Sequence, residues 1–183
     1  MPVSDPLALY VHWPFCVSKC PYCDFNSHVR ADPEEAGWRA ALLAELALEH
    51  ALTPSRRLGS IFFGGGTPSL MQPETVAAVI DEATRLWGAD ADVEITLEAN
   101  PTSVEAAKLR AFREAGVNRL SLGVQSLEEE SLRRPQRQTT SFESTLAFAR
   151  LLIELKTSSS SVSFRISAVV YRPLKRLYIV VVV

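Results

Sequence analysis

The chain has 183 residues, of which 47% are hydrophobic and 22% charged, a balance that suits one globular domain and excludes a disordered, collagen-like or coiled-coil chain. Nineteen basic against 21 acidic side chains leave a net charge of -2, so no global field gathers nucleic acid or acidic lipid. No run of 18 apolar residues occurs, and the first ten residues lack the basic start and cleavage site of a secretory signal, so the protein is expected to be cytoplasmic with no membrane span.

Residues 7–13, LALYVHW, read as a short buried strand, and a cysteine-bearing loop follows it. Asp32 and Glu35 have the spacing of a capping box, and Trp38, Leu42 and Leu46 recur at helical spacing to about Leu52. A second unit repeats the plan. Residues 58–63 form a strand, Gly64-Gly65-Gly66-Thr67-Pro68-Ser69 a loop, and Pro73 opens a helix ending before Gly88. In a third, 93–98 alternate as a strand, Thr102 and Glu105 give another capping box, and a helix runs to Gly116. Residues 119–124 are the fourth strand, followed by a helical stretch at 126–133.

Beyond Leu132 the pattern weakens. Residues 141–155 regain helical spacing, a serine-rich stretch follows, and 162–171 read as a fifth strand. The final LYIVVVV is strongly β-prone and uncharged, an aggregation hazard unless it is buried or paired. Strands alternating with helices predict an α/β fold with a parallel sheet and right-handed crossovers, whose strand-end loops share one rim. Residues 1–132 form the well-patterned part, and 133–183 a divergent continuation of the same domain.

All three cysteines, Cys16, Cys20 and Cys23, fall within eight positions, which suits metal ligation in a reducing compartment and not a disulfide framework. C-x3-C-x2-C supplies three thiolates to an iron–sulfur cubane and leaves one iron open to a small molecule. A zinc site would need a fourth ligand, for which His12 or His28 is available. The glycine run lacks the spacing and lysine of a phosphate loop, but its missing Cβ atoms let backbone approach a ligand closely.

The stretch LYVHWPFCVSKCPYCDF resembles the signature of the radical S-adenosylmethionine superfamily, and within it the coproporphyrinogen III oxidase-like and heme-chaperone branch. The resemblance implies a partial (βα) barrel, here incomplete toward its C-terminal end. It also implies a [4Fe-4S] cluster on Cys16, Cys20 and Cys23, with S-adenosyl-L-methionine chelating the open iron and one electron cleaving it to a deoxyadenosyl radical. Tyr10, Tyr22, Gly65, Gly66, Thr67, Glu98, Gln125 and Arg137 occupy the places of the family's cosubstrate contacts. No side chain is read as a general acid or base. Asp24 directly after Cys23 favours the heme-chaperone branch, with heme, a heme-acceptor protein and an electron donor as implied partners. The alternatives are a coproporphyrinogen III dehydrogenase-type enzyme and a silent, truncated cluster-binding remnant. The match loosens after residue 132: Pro135-Gln136 and Thr139-Thr140 depart from the pattern, and Arg165 stands near the place of the family's fifth-strand aspartate.

Overall fold

A computed structural model describes residues 6–18, 23, 26–30, 33–100, 106–122, 165–167 and 178–181. The alternation of LALYVHW becomes β1 (Leu7–Trp13), which buries Leu7, Leu9, Val11 and Trp13 on one face. Two short strands, β2 (Phe15–Cys16) and β3 (His28–Val29), pair in parallel at the base of the cysteine loop.

The helix α1 (Glu35–Leu52) turns Leu42 and Leu46 into the core. Its first turn differs from the capping box expected there. Glu35 reaches across to accept the Gln72 backbone N–H at 2.6 Å, and Glu34 caps without a side-chain bond. Asp32 lies outside the described residues. The strand β4 (Leu58–Gly65) runs two residues further into the glycines than the apolar pattern suggests. A single 3-10 turn (Pro68–Leu70) then leads to α2 (Pro73–Trp87), which packs Val76, Val79, Ile80 and Ala83 inward. The strand β5 (Ala89–Ala99) begins directly after Gly88, four residues before its alternation does, because Leu58 pairs with Ala89 ahead of a register shift. Then come α3 (Ala106–Glu114) and β6 (Arg119–Leu122). Thr102, Glu105 and the helical stretch at 126–133 lie outside the described residues.

Two late strands complete the sheet: β7 (Arg165–Ser167), within the expected fifth strand, and β8 (Tyr178–Val181). The order is β7-β6-β5-β4-β1-β8, and every neighbouring pair is parallel. The α/β class and parallel sheet expected from the alternation are therefore present. The tail finds the partner it needs, since Ala8 through Val11 of β1 pair with Tyr178 through Val181. β1 is thereby an interior strand, which suits its burial on both faces.

One core joins buried side chains of α1, α2 and α3 to those of the sheet, with Leu109 and Phe112 of α3, Leu97 and Leu120 among its members. The opposite face is more polar. Register sets Tyr10 beside Phe62, Phe62 beside Thr96, and Thr96 beside Arg119. Two residues nearer the strand ends, His12 pairs with Gly64, and Glu98 with Ser121. Chemistry-bearing side chains therefore gather at the carboxyl rim, where parallel α/β architectures assemble their sites.

Candidate functional site

Three strand-end segments meet at this rim, joined by main-chain and side-chain bonds. The Gly66 N–H donates to the Trp13 carbonyl at 2.7 Å and the Thr67 N–H to the Phe15 carbonyl at 2.9 Å, tying the glycine loop to the stretch that leads into Cys16. Asn100 N–H reaches Ser69 Oγ at 3.4 Å, and Lys108 Nζ reaches the Leu70 carbonyl at 3.0 Å, tying the same loop to β5 and α3.

The glycines are needed for this closeness. Gly65 has φ +113, and a Cβ there would stand 2.7 Å from the His12 ring. A Cβ on Gly66 would stand 2.6 Å from the Phe15 carbonyl oxygen and 3.0 Å from Cys16 Sγ. At Gly64 it would meet the Tyr10 ring at 2.8 Å. A side chain at Gly66 would push into the cysteine stretch, and one at Gly64 or Gly65 into Tyr10 or His12 of β1.

Cys16 is buried and Cys23 half-buried, and both are free thiols. Cys23 Sγ lies 4.0 Å from the hydroxyl of buried Ser27, a weak hydrogen bond available to a thiolate. Cys20, Tyr22, Gln125 and Arg137 lie outside the described residues. Among the described residues no three His, Cys, Asp or Glu side chains converge on a common metal position.

Glu98 accepts the Gly65 N–H, yet burial dominates and holds its carboxyl above the ordinary glutamate range. A cation approaching it would restore the ionised form, so the position suits an ammonium or a hydroxyl donor. Tyr10 stacks on Phe62 with ring centroids 6.0 Å apart and forms an aromatic wall beside the glycines. The rim thus unites Tyr10, Gly65, Gly66, Thr67 and Glu98 with Cys16.

His12 is employed differently from a zinc ligand. Its Nε2 lies 2.9 Å from the Asn26 carbonyl, and its Nδ1 lies 3.4 Å from the Tyr10 hydroxyl. His28 is exposed on β3. Asn26 and Ser27 are site residues that sequence reasoning missed; neither stands in a motif, and only their position shortly after Cys23 hints at a role. His50 packs its ring edge-on against Trp87 at 5.5 Å, away from this rim.

The residues present fit an iron–sulfur cluster and a zwitterionic cosubstrate. Two free thiols beside a third cysteine in sequence form a soft donor set, and a space that any Cβ would fill lies next to a desolvated carboxylate.

Comparison with known proteins agrees with this geometry. The bovine (Bos taurus) "Radical S-adenosyl methionine domain-containing protein 1, mitochondrial" is 50% identical over 131 residues, covering 72% of this chain and 30% of the relative. The "Heme chaperone HemW" of Escherichia coli (strain K12) is 45% identical over 130 residues, 70% of this chain and 34% of the relative. The chain thus spans about a third of the length of these relatives. Among solved structures, coproporphyrinogen III oxidase (HemN) from Escherichia coli superposes with a TM-score of 0.71 at 31% identity, over 82% of this chain and 35% of that one. The profile of the Radical SAM superfamily matches residues 10–168, most of the length, and the chain belongs to that superfamily.

Proposed function

We propose that this chain carries the cluster- and cosubstrate-binding part of a heme-chaperone-type radical S-adenosylmethionine protein. The observation that carries the reading is the stitched rim, where two main-chain hydrogen bonds hold the glycine loop against the Cys16 stretch and Glu98 lies desolvated beside Gly65. Cys16 and Cys23, with Cys20 between them in sequence, would hold a [4Fe-4S] cluster. When bound, the cluster and S-adenosyl-L-methionine together supply one-electron reductive cleavage of the cosubstrate's sulfonium.

The protein's own part is positioning. Gly65 and Gly66 admit the methionine end of the cosubstrate to backbone groups, and Thr67 lies on the same loop. Glu98 accepts from its ammonium, and Tyr10 on Phe62 walls the site with an aromatic face. Tyr22, Gln125 and Arg137 are proposed as further contacts on the strength of the sequence resemblance. The Ser27 hydroxyl lies 4.0 Å from Cys23 Sγ and would help orient it for ligation.

Heme transfer is preferred to propionate decarboxylation because Asp24 follows the last cysteine, and because several relatives named as heme chaperones reach 39% to 45% identity. Heme, a heme-acceptor protein and an electron donor are the partners this implies. Three closely spaced cysteines suit a reducing, cytoplasmic setting. The test is iron and acid-labile sulfide content after anaerobic reconstitution, for the wild-type chain and for Cys16→Ser, Cys20→Ser and Cys23→Ser, followed by hemin titration at the Soret band. The reading expects about four irons in the wild type, loss in each variant, and saturable hemin binding. Equal iron in wild type and variants would remove the cysteines from the site, and absence of saturable hemin binding would move the preference to the oxidase-type activity.

A further inference from the structure

The cysteine loop leaves β1 at Pro14 and returns at Asn26, and among the described residues its two limbs meet at a short strand pair. β2 and β3 contribute two residues each, with the His28 N–H on the Pro14 carbonyl at 2.7 Å and the Arg30 N–H on the Cys16 carbonyl at 3.3 Å. Both β3 side chains are exposed, and Arg30 just beyond β3 sets its guanidinium 5.9 Å from the centre of the Phe15 ring. Among the described residues, a side-chain bond also ties the returning limb to the sheet. It runs from His12, a buried residue of β1, to the Asn26 carbonyl at 2.9 Å.

The chemistry of that bond fixes the imidazole. A carbonyl oxygen only accepts, so Nε2 carries the proton. In the neutral ring Nδ1 is then an acceptor, and the Tyr10 hydroxyl, 3.4 Å away, donates to it. The ring lies against Gly65, where an added Cβ would stand only 2.7 Å from it. Strand, glycine loop and returning limb therefore all bear on one imidazole.

We infer that His12 is a positioning residue for the cysteine loop, and that its Nε2–H bond to the Asn26 carbonyl sets the limb bearing Cys23 and Ser27 against the limb bearing Cys16. It acts through the backbone and ligates nothing. Asn26 stands three positions after Cys23, so release of its carbonyl lets Cys23 drift relative to Cys16.

The test uses the full chain and a near-isosteric set at position 12. His12→Gln keeps an N–H donor at the same number of bonds from Cα as Nε2. His12→Met keeps length and bulk without a donor, and His12→Leu is a second apolar variant should methionine disturb the fold. Two rates are read: amide hydrogen exchange at His28 and Arg30 in iron-free protein, and iron release to a chelator from the reconstituted protein. His12→Met is expected to speed both about tenfold, the scale of one lost hydrogen bond, while His12→Gln stays within about threefold of wild type and exchange in β4 and β5 is unchanged. Wild-type rates in both apolar variants, or glutamine as fast as methionine, overturn the assignment. The iron arm rests on the cluster reading; if the wild type holds no iron, that reading fails while the exchange arm still decides the role of His12.

Discussion

Replacing Gly66 with alanine tests whether the glycine loop and the cysteine stretch are one rigid unit. The added Cβ stands 2.6 Å from the Phe15 carbonyl oxygen, 2.9 Å from its carbon and 3.0 Å from Cys16 Sγ, contacts with backbone and a buried thiol that cannot rotate away. Relief requires the two segments to separate, which lengthens the Thr67 N–H bond to the same Phe15 carbonyl, now 2.9 Å. Overpacking of this kind costs roughly 1–3 kcal/mol and a lost hydrogen bond about 1 kcal/mol more, so the variant should lose about 2–4 kcal/mol. That is a large share of the roughly 5–15 kcal/mol typical of a domain. Urea unfolding of the iron-free protein measures it, with Gly37→Ala as the control. Gly37 lies in α1, and its Cβ would meet only the flexible Glu34 side chain at 3.7 Å, so alanine there should stabilise by about 0.5–1 kcal/mol. A Gly66→Ala midpoint equal to wild type would refute the close approach on which the site is built.

Three further outcomes follow from the same structure. Asn118 donates Nδ2–H to the Val93 carbonyl at 2.7 Å and accepts the Ile95 N–H at 2.9 Å, so Asn118→Ala should cost about 2–4 kcal/mol in urea unfolding by stranding two β5 groups. Because burial raises the Glu98 carboxyl above its unfolded value, the native state holds that proton more tightly than the unfolded chain. Its contribution to stability is therefore greatest below the ordinary glutamate range and declines as pH rises through the raised value. The stability difference between wild type and Glu98→Gln, followed over roughly pH 4 to 7, should shift against the wild type with increasing pH; a shift in its favour would mean that the site stabilises the carboxylate. Deleting residues 178–183 uncovers the β1 edge now paired with Tyr178–Val181, and light scattering should register association of the shortened chain.

Much of the fold was legible because period-2 and helical patterns are local. β1, α2 and the core face of α1 carry their apolar spacing in plain view. The start of β5 was not legible, since ADAD is acidic and small and is strand only because Leu58 offers a partner. Glu35 looked like half of a capping box, but Gln72, remote in sequence, offered a free N–H. The place of the tail was equally hidden, because parallel pairing between residues 8–11 and 178–181 leaves no local signal. At the site, the cysteine spacing and the glycines were readable as ligation and close approach. The role of His12 was not, because it depends on the chain returning to Asn26.

The central claim is an iron–sulfur site with an open iron beside a cosubstrate pocket, and electron paramagnetic resonance of the anaerobically reconstituted, reduced chain tests it most directly. The account predicts a four-iron signal whose shape changes when S-adenosylmethionine is added. A signal indifferent to S-adenosylmethionine would contradict the cosubstrate site proposed at Gly65, Gly66 and Glu98, and soluble, folded protein with no cluster would contradict the cysteine site itself.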